Sequence, residues 1–353
     1  MQPGEPRQIA RAISTVENQS DGYEAILAQA YRLPRWAEVI GVTGPPGVGK
    51  STLVDALTAH WAQGGERVAV LAIDPSSPYS GGAVLGDRIR RVRSGSYDNT
   101  YFRSLSSRGH VGGLSATATD LVAVLSLHRF SRVIIETVGA GQSDIEIQST
   151  ADCTVVVTVP GLGDGVQASK AGMMEIGDVF AVNKADLPGA DLAARTIENA
   201  LSAAYMGTAG VNAGASPATS ALPSAMATPG IAALQRRHGD IARDTSVWVP
   251  PVLPVVATEG RHIAELARVI HQFLGWSDSN GRRADRSRER AYAQILRALT
   301  TRLLAPYTRP AGTEQWPETV ADWIDRVASG GASPIEAAVE IMTAQRNKTA
   351  ANG

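Results

Sequence analysis

GPPGVGKST (44–52) stands between a β-branched run, VIGVT, and the segment LVDALTAHW, where Leu53, Leu57 and Trp61 share one helical face. Gly44, Gly49, Lys50 and Ser51 satisfy the order G-x-x-x-x-G-K-[ST], and the flanks supply the strand and helix that this loop needs. The physical reading covers every residue of the run. Gly44, Pro45, Pro46, Gly47, Val48 and Gly49 bring backbone N–H groups close to phosphate oxygens, and Lys50 reaches the β- and γ-phosphates. The Ser51 hydroxyl is placed to ligate Mg²⁺, and Thr52 follows it into the helix. A nucleoside triphosphate is the expected ligand.

Outward from this loop, five more apolar runs read as strands: RVAVLAID (67–74), RVIIETVG (132–139), CTVVVTVPG (153–161), DVFAVNKAD (178–186) and VLPVVATEG (252–260). Runs this rich in Val and Ile, separated by helix-length segments, predict an α/β fold, a P-loop NTPase with a mostly parallel, doubly wound sheet. Ligands then bind at the carboxyl ends of the strands. RQIARAISTVEN and YEAILAQAYRL place apolar residues at helical spacing, giving an N-terminal helical extension over 1–36 ahead of the nucleotide domain, 37–276. Within that domain, about 206–235 is uncharged and rich in Ala, Gly, Ser, Thr and Pro, and reads as a flexible insertion. After Trp276, SDSNGRRADRSRER reads as a hydrophilic linker with a solvated basic run, leading to helices with Tyr292, Ile295, Leu296, Leu299 and Leu303 on one face. The region 277–353 is therefore expected to be helical beyond the linker.

Strand ends supply the remaining candidates. Asp74, Glu136 and Asp87 are carboxylates suited to the Mg²⁺ environment alongside Ser51. ETVG (136–139) stands where a nucleotide switch commonly has Asp-x-x-Gly, so Gly139 would offer its N–H to the γ-phosphate. VNKAD (182–186) puts Asn183, Lys184 and Asp186 after a strand in the N-K-x-D order. Its Asp carboxylate accepts from guanine N1–H and the exocyclic amine, donors that adenine lacks, so GTP and GDP are preferred. Ala257 and Thr258 fall in the other loop near the base.

Composition removes several classes. Thirty-three basic against 34 acidic residues give a formal charge of −1, which excludes a dedicated nucleic-acid or anionic-membrane binder. One cysteine, Cys153, allows no internal disulfide, and there is no targeting or membrane-spanning run, so a cytoplasmic protein is expected. Only four lysines occur, Lys50, Lys170, Lys184 and Lys348, and two of them already lie in nucleotide motifs.

With these motifs in order, the chain resembles the methylmalonyl-CoA-mutase-associated GTPases, the MeaB and ArgK family, within the signal-recognition-particle-like group. AIDPSSPYSGGAVLGDR, RSLSSRGHVGGLS, IIETVGAGQSD, VPGLGDGVQASKAG and EIGDVFAVNKAD carry the resemblance beyond the phosphate loop. It implies a GTP-hydrolysing chaperone with a slow intrinsic rate, gating cofactor loading, protection and reactivation of an adenosylcobalamin-dependent acyl-CoA mutase. By position it assigns Lys50, Asp87, Glu136 and Gly139 to hydrolysis, and Ser51, Asp74, Asp87 and Glu136 to Mg²⁺. Asp164 and Lys170 resemble an additional switch that transmits nucleotide state. The resemblance also implies a homodimer through the C-terminal helical arm.

Departures from the family pattern are Asp144, where Glu is usual, and the uncharged 206–230 stretch. Arg108 could serve the phosphates or the partner. No Asp-x-His-x-x-Gly run is present, so no cobalamin site of the chain's own is expected. Two other classes compete. An amino-acid-transport ATPase has only the partial SGGAV (80–84) in its favour, and a metallochaperone GTPase would need ligands that the scattered His60, His110, His128, His238, His262 and His271 do not form.

Overall fold

A run of Val and Ile hides both of its faces only when strands flank it and helices cover it, and the sheet here follows from that. The computed structural model describes residues 5–74, 94–106, 114–137, 147–161, 174–209, 247–308 and 315–351. Its strands are β1 (Glu38–Thr43), β2 (Val68–Asp74), β3 (Thr100–Ser106), β4 (Arg132–Glu136), β5 (Cys153–Thr158), β6 (Val179–Val182) and β7 (Val252–Pro254). They form one sheet in the order β3-β2-β4-β1-β5-β6-β7, and every pairing is parallel. The doubly wound parallel sheet expected of a P-loop NTPase is thus what the chain builds.

The helices are α1 (Glu5–Glu17), α2 (Tyr23–Ala30), α3 (Lys50–Gln63), α4 (Leu114–Leu127), α5 (Ala190–Ala209), α6 (Ile263–Ser279), α7 (Arg282–Leu304), α8 (Glu318–Ala328) and α9 (Pro334–Ala351). They cover the sheet on two faces. Ile40 and Val42 of β1 pack with Leu53, Leu57 and Trp61 of α3 and with Leu266, Ile270 and Phe273 of α6. On the other face Val39 joins Ile9 and Ile13 of α1 and Leu121 and Leu125 of α4. The predicted N-terminal helices are therefore part of the core packing. Arg103 fastens α1 to β3 through Glu17 at 2.7 Å, and Tyr31 ties the end of α2 to Asp120 of α4 at 2.7 Å.

Two features differ from the sequence reading. β3 was not among the predicted strands, because TYFRSLS has no Val or Ile and is half polar. It pairs only with β2, so an edge position lets its polar residues stay at the surface while Tyr101, Phe102 and Leu105 are buried.

The second difference is the linker after Trp276. α6 runs on to Ser279 and α7 begins at Arg282, so the basic run is helical and not a solvated arm. Arg283, Arg286 and Arg290 fall on one face of α7 and reach the amino ends of β5 and β6. Arg290 bonds the Asp152 carboxylate at 2.8 Å and the Thr150 carbonyl at 2.8 Å, and Arg286 donates to the Asp152 carbonyl at 2.6 Å. Arg283 lies 3.6 Å from Asp152, and Arg286 3.6 Å from Asp178. Asp152 and Asp178 are themselves buried, donating order back to the sheet by accepting from the Val39 and Thr154 N–H groups.

The chain divides into Met1–Arg290 and Ala291–Gly353. In the second unit, α9 opens with a reciprocal cap: the Ser333 N–H donates to Glu336 at 2.7 Å, and the Glu336 N–H donates to Ser333 Oγ at 3.1 Å. Ser333→Ala is expected to destabilise this helix by about 1 kcal/mol, visible as lower helicity by circular dichroism on heating. Hydrogen bonds from the Ser333 backbone and side chain hold Glu336 below its ordinary value. Its folded value being depressed, its support of α9 is present above the ordinary glutamate range and is lost as pH falls through the folded value. Among the described residues no helix is long and apolar enough to cross a membrane.

Candidate nucleotide site

β4 and β5 flank β1, so the chain leaves the carboxyl end of β1 in opposite directions and opens a crevice there. The phosphate loop occupies that end. Gly44 has φ 142°, and a Cβ on it would stand 2.1 Å from the Val157 carbonyl oxygen of β5, so no side chain fits. Gly49, at φ 90°, presses against Asn183, whose Nδ2 would be 2.5 Å from an added Cβ. Val48 is buried and anchors the loop to the core, while Pro46 and Gly47 are exposed and Pro45 is half-buried. α3 starts at Lys50 with no side-chain cap, so its first N–H groups belong to the loop, the arrangement that receives anions.

The Lys50 ammonium is 7 % exposed and donates to the Gly44 carbonyl at 2.8 Å and the Pro45 carbonyl at 2.9 Å. Beside it the Ser51 hydroxyl donates to the carboxylate of Glu136, the last residue of β4 and 4 % exposed. Thr52 is exposed on the next position of α3. Register explains the Ser51–Glu136 meeting: Glu136 stands opposite Val42 on β1 and opposite Ala72 on β2.

A hydroxyl and a carboxylate oxygen in contact at the start of the P-loop helix are hard donors of the kind Mg²⁺ takes, and the fit is good. Among the described residues no three His, Cys, Asp or Glu gather into a metal site, as expected for an ion that keeps waters and shares phosphate oxygens. Asp74 closes β2 by its backbone at the same end of the sheet, and its side chain lies outside the described structure. Asp87, Gly139, Asp164, Lys170 and Arg108 also lie outside the described residues.

Thr137, within ETVG but given no role from sequence, locks the exit of β4 to β1. Its hydroxyl donates to Thr43 at 3.1 Å and its N–H to the Val42 carbonyl at 3.1 Å. Asn183 does more than its motif announces. Its Nδ2 donates to the Val48 carbonyl at 2.9 Å while its Oδ1 accepts the Ala257 N–H at 3.1 Å, so one buried amide joins the phosphate loop, β6 and the 257–258 loop. Lys184 has φ 57° and sends its ammonium to the Gly47 carbonyl at 3.1 Å, a second tie from the N-K-x-D turn to the phosphate loop. Asp186 and Thr258 are exposed at the same end, and Ala257 is buried. The Ala257 N–H is engaged by Asn183, which leaves Thr258 and Asp186 as the outward-facing members of the set.

Similarity to known proteins agrees with this geometry. Residues 9–309 match the family described as methylmalonyl Co-A mutase-associated GTPase MeaB. A Pyrococcus abyssi protein assigned to the GTPases by name is 38 % identical over 295 residues, covering 84 % of this chain and 80 % of its own. The mouse protein named methylmalonic aciduria type A homolog, mitochondrial, is 28 % identical over 98 % of this chain and 78 % of its own. Among solved structures, one titled LAO/AO transport system kinase superposes with a TM-score of 0.57 over 97 % of this chain and 94 % of that one. At 22 % identity the likeness concerns the fold alone.

Proposed function

The chain belongs to the methylmalonyl-CoA-mutase-associated GTPases of the MeaB family, and from that premise we propose that it hydrolyses GTP to GDP and phosphate as a cytoplasmic chaperone of an adenosylcobalamin-dependent acyl-CoA mutase. The observation that carries the reading is the convergence on one loop of Lys50, the Ser51–Glu136 pair and the Asn183–Lys184 turn. Phosphate chemistry and base selection are thereby joined in a single cradle.

In this reading the Lys50 ammonium exchanges its carbonyl partners for β- and γ-phosphate oxygens, and the loop N–H groups take the rest. Ser51 and Glu136, with Asp74 and Asp87, are the residues that would hold Mg²⁺. That ion, when bound, neutralises charge on the phosphate oxygens. No strong base is assigned, so the chain contributes by positioning, and the intrinsic rate is slow. Asp186 accepts from guanine, the Lys184 stem lies over the ring, and Asn183 holds both against the phosphate loop. Gly139, Asp164 and Lys170 belong to the segments that report nucleotide state to the mutase. The chain supplies no cobalamin site; the cofactor stays with the partner.

A homodimer through the C-terminal helices fits the exposed apolar side chains of α7, Tyr292, Ile295, Leu296, Leu299 and Leu303, which a monomer would leave in water. The test is GTP and ATP hydrolysis with and without a cognate mutase, with nucleotide-dependent association measured in parallel. Stimulation of GTP hydrolysis and association that differs between GTP and GDP are expected. Neither being found would reject the chaperone role, and ATP preferred over GTP would reject the base assignment.

A further inference from the structure

α3 does more than begin at the phosphate loop. One turn after Ser51, the same helix presents Asp55, which is 7 % exposed. A single carboxylate oxygen, Oδ1, accepts both the Ser94 N–H at 3.0 Å and the Ser94 hydroxyl at 2.6 Å. Ser94 is 3 % exposed and is gripped from its other side as well, because its carbonyl accepts from the Thr100 hydroxyl at 3.1 Å. Ser94 thus stands fixed to α3 and to the first residue of β3 at once. A buried carboxylate is a costly way to fasten a turn unless its placement matters, since desolvating the charge works against folding.

Chain connectivity gives the placement a purpose. β2 ends at Asp74, at the nucleotide end of the sheet, and Ser94 is where the chain that carries Asp87 rejoins the body. Both ends of that segment are therefore set by elements of the site: one by the strand beside Glu136, the other by the helix that carries Ser51. Resting on the function proposed above, we infer that Asp55 is a positioning residue of the GTPase. Through Ser94 it holds the return of the Asp87 segment in register with the Ser51–Glu136 pair. It touches neither nucleotide nor metal; it sets the distance from α3 at which the segment starts back.

The experiment compares Asp55→Asn, Ser94→Ala and the double variant in the full chain. For each, the Mg²⁺ concentration giving half-maximal GTP hydrolysis, kcat, KM for GTP and the thermal midpoint are read, with hydrogen exchange of the amides of 75–94. A misplaced segment is expected to lower kcat and raise the Mg²⁺ requirement about tenfold or more, with KM changed little, because small displacements weigh heavily on positioned groups. The double variant should match the worse single one, as members of one contact do not add. Exchange over 75–94 should be faster in each variant than in the wild type, with or without nucleotide. A lowered thermal midpoint with kcat, the Mg²⁺ requirement and 75–94 exchange all as in the wild type would reduce Asp55 to a packing contact and overturn the inference. Wild-type protein that neither binds nor hydrolyses GTP would instead reject the proposed function, and the exchange comparison would still decide whether Asp55 positions the segment.

Discussion

Asp178→Ala is expected to destabilise the Met1–Arg290 unit by about 3–5 kcal/mol, the cost of breaking a buried ion pair from one side. Asp178 is fully enclosed, its carboxylate accepting the Thr154 N–H at 2.8 Å and facing Arg286 at 3.6 Å. Alanine would leave a buried amide at the start of β5 without its acceptor and the guanidinium with one carboxylate fewer. Arg286 would keep its bond to the Asp152 carbonyl at 2.6 Å, so the loss is confined to what Asp178 supplies. Asp178→Asn separates the two parts, because its amide oxygen can still accept from Thr154. It should cost about half as much if charge and hydrogen bond weigh comparably. Urea unfolding, compared at the midpoint with the slope held in view, measures both. A loss below about 1 kcal/mol for alanine would mean that the arginines of α7 are held by Asp152 alone.

That cluster also marks where the sequence stops being legible. The phosphate loop and the N-K-x-D turn could be read directly, because their chemistry is packed into a few consecutive residues with a strand before and a helix or turn after. Glu136 was within reach for a similar reason: it ends a strand, and strand ends gather where ligands bind. The Arg282–Arg290 run was misread because the carboxylates that make sense of it lie more than a hundred residues earlier, at the starts of β5 and β6. The spacing of Arg283, Arg286 and Arg290 on one helical face was the available signal. β3 escaped because edge strands need not be apolar throughout. Asn183 was recognised by its motif, yet its bonds to Val48 and Ala257 depend on how β6 sits beside the phosphate loop, and no local pattern announces that. Ser94, gripped by Asp55, stands at the end of a segment with no periodicity, where only the folded chain shows which helix it meets.

The N-K-x-D turn yields the most decisive test of the proposed function, in the form of a change of base. Asp186→Asn is expected to weaken GTP binding by about 10²–10⁴-fold, because two hydrogen bonds to a charged acceptor, each worth about 1.5–3 kcal/mol, are lost or reversed. Guanine presents two donors to Asp186, its N1–H and its 2-amino group. A carboxamide can accept one of them but turns its own NH₂ toward the other. Xanthine carries a carbonyl where guanine has that amine, so the same carboxamide should accept from its N1–H and donate to its carbonyl. XTP should therefore bind the variant better than GTP does, and at saturation it should be hydrolysed near the wild-type rate on GTP, since Lys50, Ser51 and Glu136 are untouched. The turn itself should survive, because it is held by backbone bonds that do not involve this side chain: Ala185 N–H to the Val255 carbonyl at 3.1 Å and Leu187 N–H to the Lys184 carbonyl at 2.9 Å. Asp186 is exposed, so the thermal midpoint should move little, and lost affinity cannot be charged to unfolding. Calorimetric titration of wild type and variant with GTP, XTP and ATP reads the exchange directly. GTP bound by the variant within threefold of the wild type would remove Asp186 from the base site and with it the guanine assignment.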